Sequence, residues 1–115
     1  HGGVDELAIS GPTAGHELRD GGVTEFTVTP EDAGLTRTPI EAIRGGSAEE
    51  NAAKLRAVLA GEGGPPRDVV VLNAAAALVA ADVAPDLKEG ARLARKSIDS
   101  GAARQRLEEA ACWRA

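Results

Sequence analysis

Residues 45–78 read GGSAEENAAKLRAVLAGEGGPPRDVVVLNAAAAL, and this stretch decides the fold. Ser47 followed three residues later by Glu50 is a capping box, in which each residue's side chain satisfies the other's backbone amide at a helix start. Ala48, Ala52, Leu55 and Leu59 then recur at helical spacing and form one apolar stripe, and Gly61 ends the helix. Glu62 to Pro66 is a turn rich in Gly and Pro. Asp68 is expected to cap the run Val69–Ala81, where its charge suits the positive end of a helix; Arg67-Asp68 reads as a helix-start pair. Val69-Val70-Val71-Leu72 could open a strand, but the length of the run and the alanines after it predict a helix buried on nearly all sides. Asn73 interrupts this apolar run, and a buried amide needs partners, so a hydrogen bond to a neighbouring loop is expected there. Asn51 reads in the same way.

Towards the C-terminus, Pro85 is expected to open a helix whose stripe is Leu87, Ala91, Ala94 and Ile98. Gly101 breaks it, and Ala102–Ala111 forms a last short helix. Towards the N-terminus, Thr38-Pro39 and Thr29-Pro30 each place a capping residue before a proline, and Thr38 with Glu41 forms a second capping-box pattern ended by Gly45. Thr13 to Leu18 and Val23 to Thr29 read as strands joined through Asp20-Gly21-Gly22, a hairpin signal. In the second strand Thr24, Phe26 and Val28 share one face and Glu25 and Thr27 the other, as for a strand with one wet face. Residues 1–13 read as a loop. The chain is therefore a hairpin followed by four or five helices. Two strands do not make a stable sheet alone, so the expected fold class is α/β, as a piece of a larger mixed sheet with helices.

Composition sets the outer limits. The chain has 115 residues, enough for one domain, and no methionine, so it reads as a fragment. Its N-terminus shows no basic patch followed by an apolar run, and Val69–Ala81 is too short to span a bilayer, so a water-soluble chain with no membrane contact is expected. Net charge is −5 and uneven: residues 1–84 carry six basic against thirteen acidic side chains, residues 85–115 seven basic against five acidic. An acidic body argues against a nucleic-acid surface, which needs clustered Lys and Arg. Cys112 is the single cysteine, so an internal disulfide and any cysteine-based metal cluster are excluded.

Asp5 and Glu6 are adjacent carboxylates in a glycine-bearing loop. Hard cations such as magnesium take oxygen ligands and keep several waters, so two carboxylates suffice when a substrate phosphate supplies the rest. Read without context, the pair is more often a solvated acidic turn. His1 and His16 receive no catalytic role, and no function is given to Cys112 or Trp113. Thr13 is expected to start the first strand. No serine sits on a strand-turn-helix elbow, so a Ser/His/Asp grouping is not expected.

Four blocks, in order and at this spacing, change the weighting: Gly3-Val4-Asp5-Glu6, Gly11-Pro12-Thr13, Thr29-Pro30-Glu31-Asp32-Ala33-Gly34-Leu35, and residues 45–78. Together they resemble the C-terminal part of anthranilate phosphoribosyltransferases. The resemblance spans almost all of the chain but about the last third of a family member, and it is most specific over residues 45–78. It implies transfer of a phosphoribosyl group from phosphoribosyl pyrophosphate to the amine of anthranilate, with release of diphosphate, in tryptophan biosynthesis, in the cytoplasm. It implies that Asp5 and Glu6 hold Mg2+ on the diphosphate, and that the enzyme is a homodimer. The family's glycine-rich diphosphate loop and its anthranilate-binding residues would lie upstream, so this piece alone is expected to be inactive. Residues 1–44 and 85–115 resemble parts of the α/β domain, and residues 45–84 resemble helices that join the small helical domain. The alternatives are a pyrimidine-nucleoside phosphorylase of the same fold and a non-enzymatic, nucleic-acid-binding relative.

Overall fold

A computed structural model describes residues 3–113. It contains the hairpin β1 (Thr13–Arg19) and β2 (Gly22–Val28), short 3-10 turns at Pro30–Ala33 and Ile40–Ile43, and helices α1 (Ala48–Leu59), α2 (Pro65–Ala80), α3 (Leu87–Asp99) and α4 (Ala102–Cys112). This is an α/β arrangement with a two-stranded sheet among the described residues.

The hairpin pairs Thr13 with Val28 and Arg19 with Gly22, leaving a two-residue turn. Asp20 (φ 50°) and Gly21 (φ 77°) are both left-handed, the backbone that matches the twist of the strands on either side. The expectation of one wet face is not met: β2 is exposed on both faces for most of its length, with Val23 at 64%. No further strand pairs with either edge among the described residues, and the C-terminal part of α2 faces the hairpin across an open groove rather than packing on it. Phe26 instead folds over Gly15 opposite, where a Cβ would come within 2.6 Å of its ring.

The core lies between α2 and α3. Val71, Leu72 and Ala75 of α2 meet Ala91, Ala94 and Ile98 of α3, with Ala33, Leu35 and Val58 closing the cluster. Gly90 permits the close approach: a Cβ there would sit 2.7 Å from the Ala75 carbonyl oxygen. The α3 stripe is buried as expected at Ala91, Ala94 and Ile98. On α1 the buried residue is Val58, whereas Leu55 of the expected stripe is 42% exposed, because α1 touches the rest of the core only near its C-terminal end.

Helix starts follow the sequence in part. The Ser47–Glu50 capping box forms, with the Ser47 amide donating to Glu50 Oε2 at 2.7 Å and the Glu50 amide to Ser47 Oγ at 3.2 Å. Thr29 also works as a cap, its amide and hydroxyl both donating to Asp32 Oδ2. The Thr38–Glu41 box does not form. Pro39 takes the cap position of a single 3-10 turn, and the Thr38 hydroxyl turns back to the Thr36 carbonyl. Asp68 is not the cap of α2, which begins three residues earlier with Gly64 as cap and Pro65-Pro66 in its first turn; two prolines suit positions whose amides have no helical partner. Arg67 instead ties this end down, donating to the Gly61 carbonyl at 2.9 Å and to Asp99 of α3 at 2.6 Å. Asp86, not Pro85, starts α3, accepting from the Glu89 amide at 2.8 Å.

Candidate functional site

Between Gly3 and Thr13 the chain has no regular structure, as expected for a loop. Gly3 has φ 73°, a left-handed conformation that glycine adopts without strain. Val4, Asp5 and Glu6 are exposed; Leu7 is half-buried, and Ala8 and Ile9 are buried. The inner half of the loop is pinned at three successive residues by three different elements. The Leu7 amide donates to Asn73 Oδ1 of α2 at 2.9 Å. The Ala8 amide donates to Thr13 Oγ1 at the start of β1 at 3.0 Å. The Ile9 carbonyl accepts from the Thr38 amide at 3.1 Å. Asn73 completes the first pin by donating from Nδ2 to the Leu7 carbonyl at 3.2 Å.

The two carboxylates expected to carry chemistry thus stand on the outer half of a loop whose inner half is fixed. Among the described residues neither Asp5 nor Glu6 takes part in an ion pair or side-chain hydrogen bond, so their oxygens are not engaged by a protein cation. No group of three or more His, Cys, Asp or Glu able to hold a metal occurs among the described residues. A pair of exposed carboxylates is the donor set that suits magnesium, which retains waters and is completed by phosphate oxygens.

Asn73 makes the hydrogen bonds to a neighbouring loop that its place in an apolar helix led us to expect. Asn51 does the same for Gly46, accepting from its amide at 2.9 Å and donating to its carbonyl at 3.2 Å. Thr13 starts β1 as expected, and its pin on Ala8 is an added role; a threonine directly after the Gly11-Pro12 pair is the sequence signal for it. The Thr38 pin on Ile9 is a backbone contact and leaves no mark on residue type. His16 is exposed on β1, beside a groove of about 690 Å3 between the hairpin and the C-terminal part of α2, at which Arg19 bridges Glu17 and Asp82. That groove holds neither Asp5 nor Glu6. Cys112 is a free, exposed thiol near the end of α4. His1 lies outside the described residues.

The chain matches the model of the glycosyl transferase family, a/b domain, over residues 1–104. It is 57% identical over 107 residues to an anthranilate phosphoribosyltransferase of Rhodopseudomonas palustris strain HaA2, covering 93% of this chain and 32% of that protein. It is 60% identical over 106 residues to the enzyme of the same name from Symbiobacterium thermophilum, covering 92% of this chain and 31% of that protein. The crystal structure of anthranilate phosphoribosyltransferase from Thermus thermophilus superposes with a TM-score of 0.81 at 43% identity, over 95% of this chain and 32% of that one. The chain thus spans about a third of the length of the curated relatives it matches.

Proposed function

This chain belongs to the glycosyl transferase family through its a/b domain, and we propose that it is a part of an anthranilate phosphoribosyltransferase, with Asp5 and Glu6 as its magnesium ligands. The enzyme joins the amine of anthranilate to the ribose carbon of phosphoribosyl pyrophosphate as diphosphate leaves. It is a cytoplasmic homodimer of the tryptophan pathway. The observation that carries the site is the placing of two adjacent carboxylates, without an ion-pair partner among the described residues, on a loop held by α2, β1 and the Thr38 segment.

When bound, magnesium supplies positive charge to the diphosphate oxygens, where charge develops as the leaving group departs. The chain's own part is to present Asp5 and Glu6 outward and to hold the backbone behind them still. A loose loop would have to be ordered on each binding event, and fixing a backbone residue costs about 1–2 kcal/mol; the pins at Leu7, Ala8 and Ile9 make that ordering part of the fold. The diphosphate-binding glycine loop and the anthranilate contacts come from other parts of the enzyme, so the 115-residue piece is inactive alone.

Identities of 57% and 60% to proteins named anthranilate phosphoribosyltransferase favour this reading over a phosphorylase or a non-enzymatic relative. The −5 net charge speaks separately against a nucleic-acid role. The test is to follow anthranilate fluorescence in a full-length protein carrying this chain, with phosphoribosyl pyrophosphate and magnesium. Magnesium-dependent loss of fluorescence is expected. A well-folded protein that leaves anthranilate untouched, and instead cleaves a pyrimidine nucleoside with phosphate, would replace the proposal with the phosphorylase.

A further inference from the structure

We propose that Asn73 is a positioning residue for the metal loop: from α2 its carboxamide fixes the backbone of Leu7, and through it the aim of Asp5 and Glu6. The inference rests on the reading of those two residues as magnesium ligands.

Asn73 grips Leu7 in both directions, accepting from its amide at 2.9 Å and donating to its carbonyl at 3.2 Å. The same Nδ2 also donates to the Val69 carbonyl one turn back on α2 at 3.0 Å. That third bond sets the rotamer from the helix side, so the carboxamide is a fixed bracket rather than a swinging arm. The Leu7 amide nitrogen belongs to the peptide whose carbonyl is Glu6, so the bond constrains the dihedrals on either side of that peptide. Val4, Asp5 and Glu6 are exposed, and Gly3 beyond them has a left-handed backbone with φ 73°. Leu7 is thus the pinned residue nearest the two carboxylates, and Asn73 supplies its pin. Among side chains of this length only asparagine offers a donor and an acceptor together: aspartate has no donor, and leucine has neither.

Magnesium demands near-octahedral geometry and tolerates badly aimed ligands poorly, and partners that orient ligands typically change metal affinity by ~10–100-fold when removed. A residue that merely holds the fold together would not do so selectively. Asn51 provides the comparison within the chain: it clasps the backbone of Gly46 with the same pair of bonds, at the start of α1, with no metal loop attached.

The experiment uses the full-length enzyme and measures Mn2+ binding by electron paramagnetic resonance in the presence of inorganic diphosphate, beside the magnesium requirement of turnover and hydrogen exchange at the Leu7 amide. Asn73→Ala is expected to weaken Mn2+ binding ~10–100-fold, to raise the magnesium needed for half-maximal turnover, and to speed Leu7 exchange. Asn51→Ala leaves all three as they were. Should Asn73→Ala not fold, Asn73→Ser, which keeps a donor and acceptor on a shorter arm, is expected to show the same pattern. Unchanged Mn2+ binding in a folded Asn73 variant, while Asp5→Asn with Glu6→Gln abolishes it, would overturn the positioning role alone. Unchanged Mn2+ binding in the double variant would overturn the magnesium reading and this inference with it.

Discussion

The double substitution Asp5→Asn with Glu6→Gln is expected to lower turnover of the full-length enzyme by ~100-fold or more at sub-saturating magnesium. Both replacements keep size and shape and remove charge. Both positions are exposed and hold no ion pair among the described residues. Surface substitutions of this kind change stability by about 0.5 kcal/mol at most, so loss of fold does not explain a loss of rate. A neutral amide oxygen is a far weaker ligand for a hard dication than a carboxylate, so the deficit should shrink as magnesium is raised. A magnesium titration of turnover for native and double-variant enzyme reads this directly. Superimposable titrations would mean that the carboxylates are a solvated turn.

The largest effect on stability is expected at Gly90. A Cβ at this position would lie 2.7 Å from the Ala75 carbonyl oxygen and 3.0 Å from its Cα, both backbone atoms of α2 that can move only if the helix moves. Gly90→Ala gains about 1 kcal/mol of helix propensity, and forcing extra carbon into a packed core typically costs about 1–3 kcal/mol. Alanine should therefore be destabilising by a modest net amount. Gly90→Val adds two more methyl groups and β-branching, and it should push α2 and α3 apart and lower stability by ~3 kcal/mol or more. Denaturant unfolding of the two variants beside Gly63→Ala is the check. No atom lies within 4 Å of a Cβ at Gly63, so that variant should unfold like the native protein. Equal midpoints for Gly63→Ala and Gly90→Val would contradict the packing of α2 on α3.

Local chemistry made part of this legible in advance. Ser47 and Glu50, Thr29 before Pro30, and Gly101 all act where their types predict, because caps and breakers depend on neighbours within one turn. The hairpin came from Asp20-Gly21 for the same reason. The errors lie where distant packing outweighed local preference. Thr38 gave up its capping box as its amide was drawn to the Ile9 carbonyl. Pro65-Pro66 started α2 before Asp68 could cap it, and Arg67 spent its donors on Gly61 and Asp99. Gly90 reads in sequence as a weak point in a helix; its use appears only once Ala75 is set against it. At the site, the carboxylates Asp5 and Glu6 were legible as a pair and acquired chemical meaning from the order of the surrounding blocks. Asn73 was legible as a polar group needing a partner. That its partner is Leu7, beside those carboxylates and 66 residues away, required the fold.

The most direct measurement on the central claim is a crystal structure of the full-length enzyme with phosphoribosyl pyrophosphate and Mn2+, with data collected at the manganese absorption edge. An anomalous peak bridging the diphosphate and the carboxylates of Asp5 and Glu6, with Asn73 still on the Leu7 backbone, is the predicted result. Diphosphate bound with its manganese held by other residues, and Asp5 and Glu6 facing solvent, would contradict it.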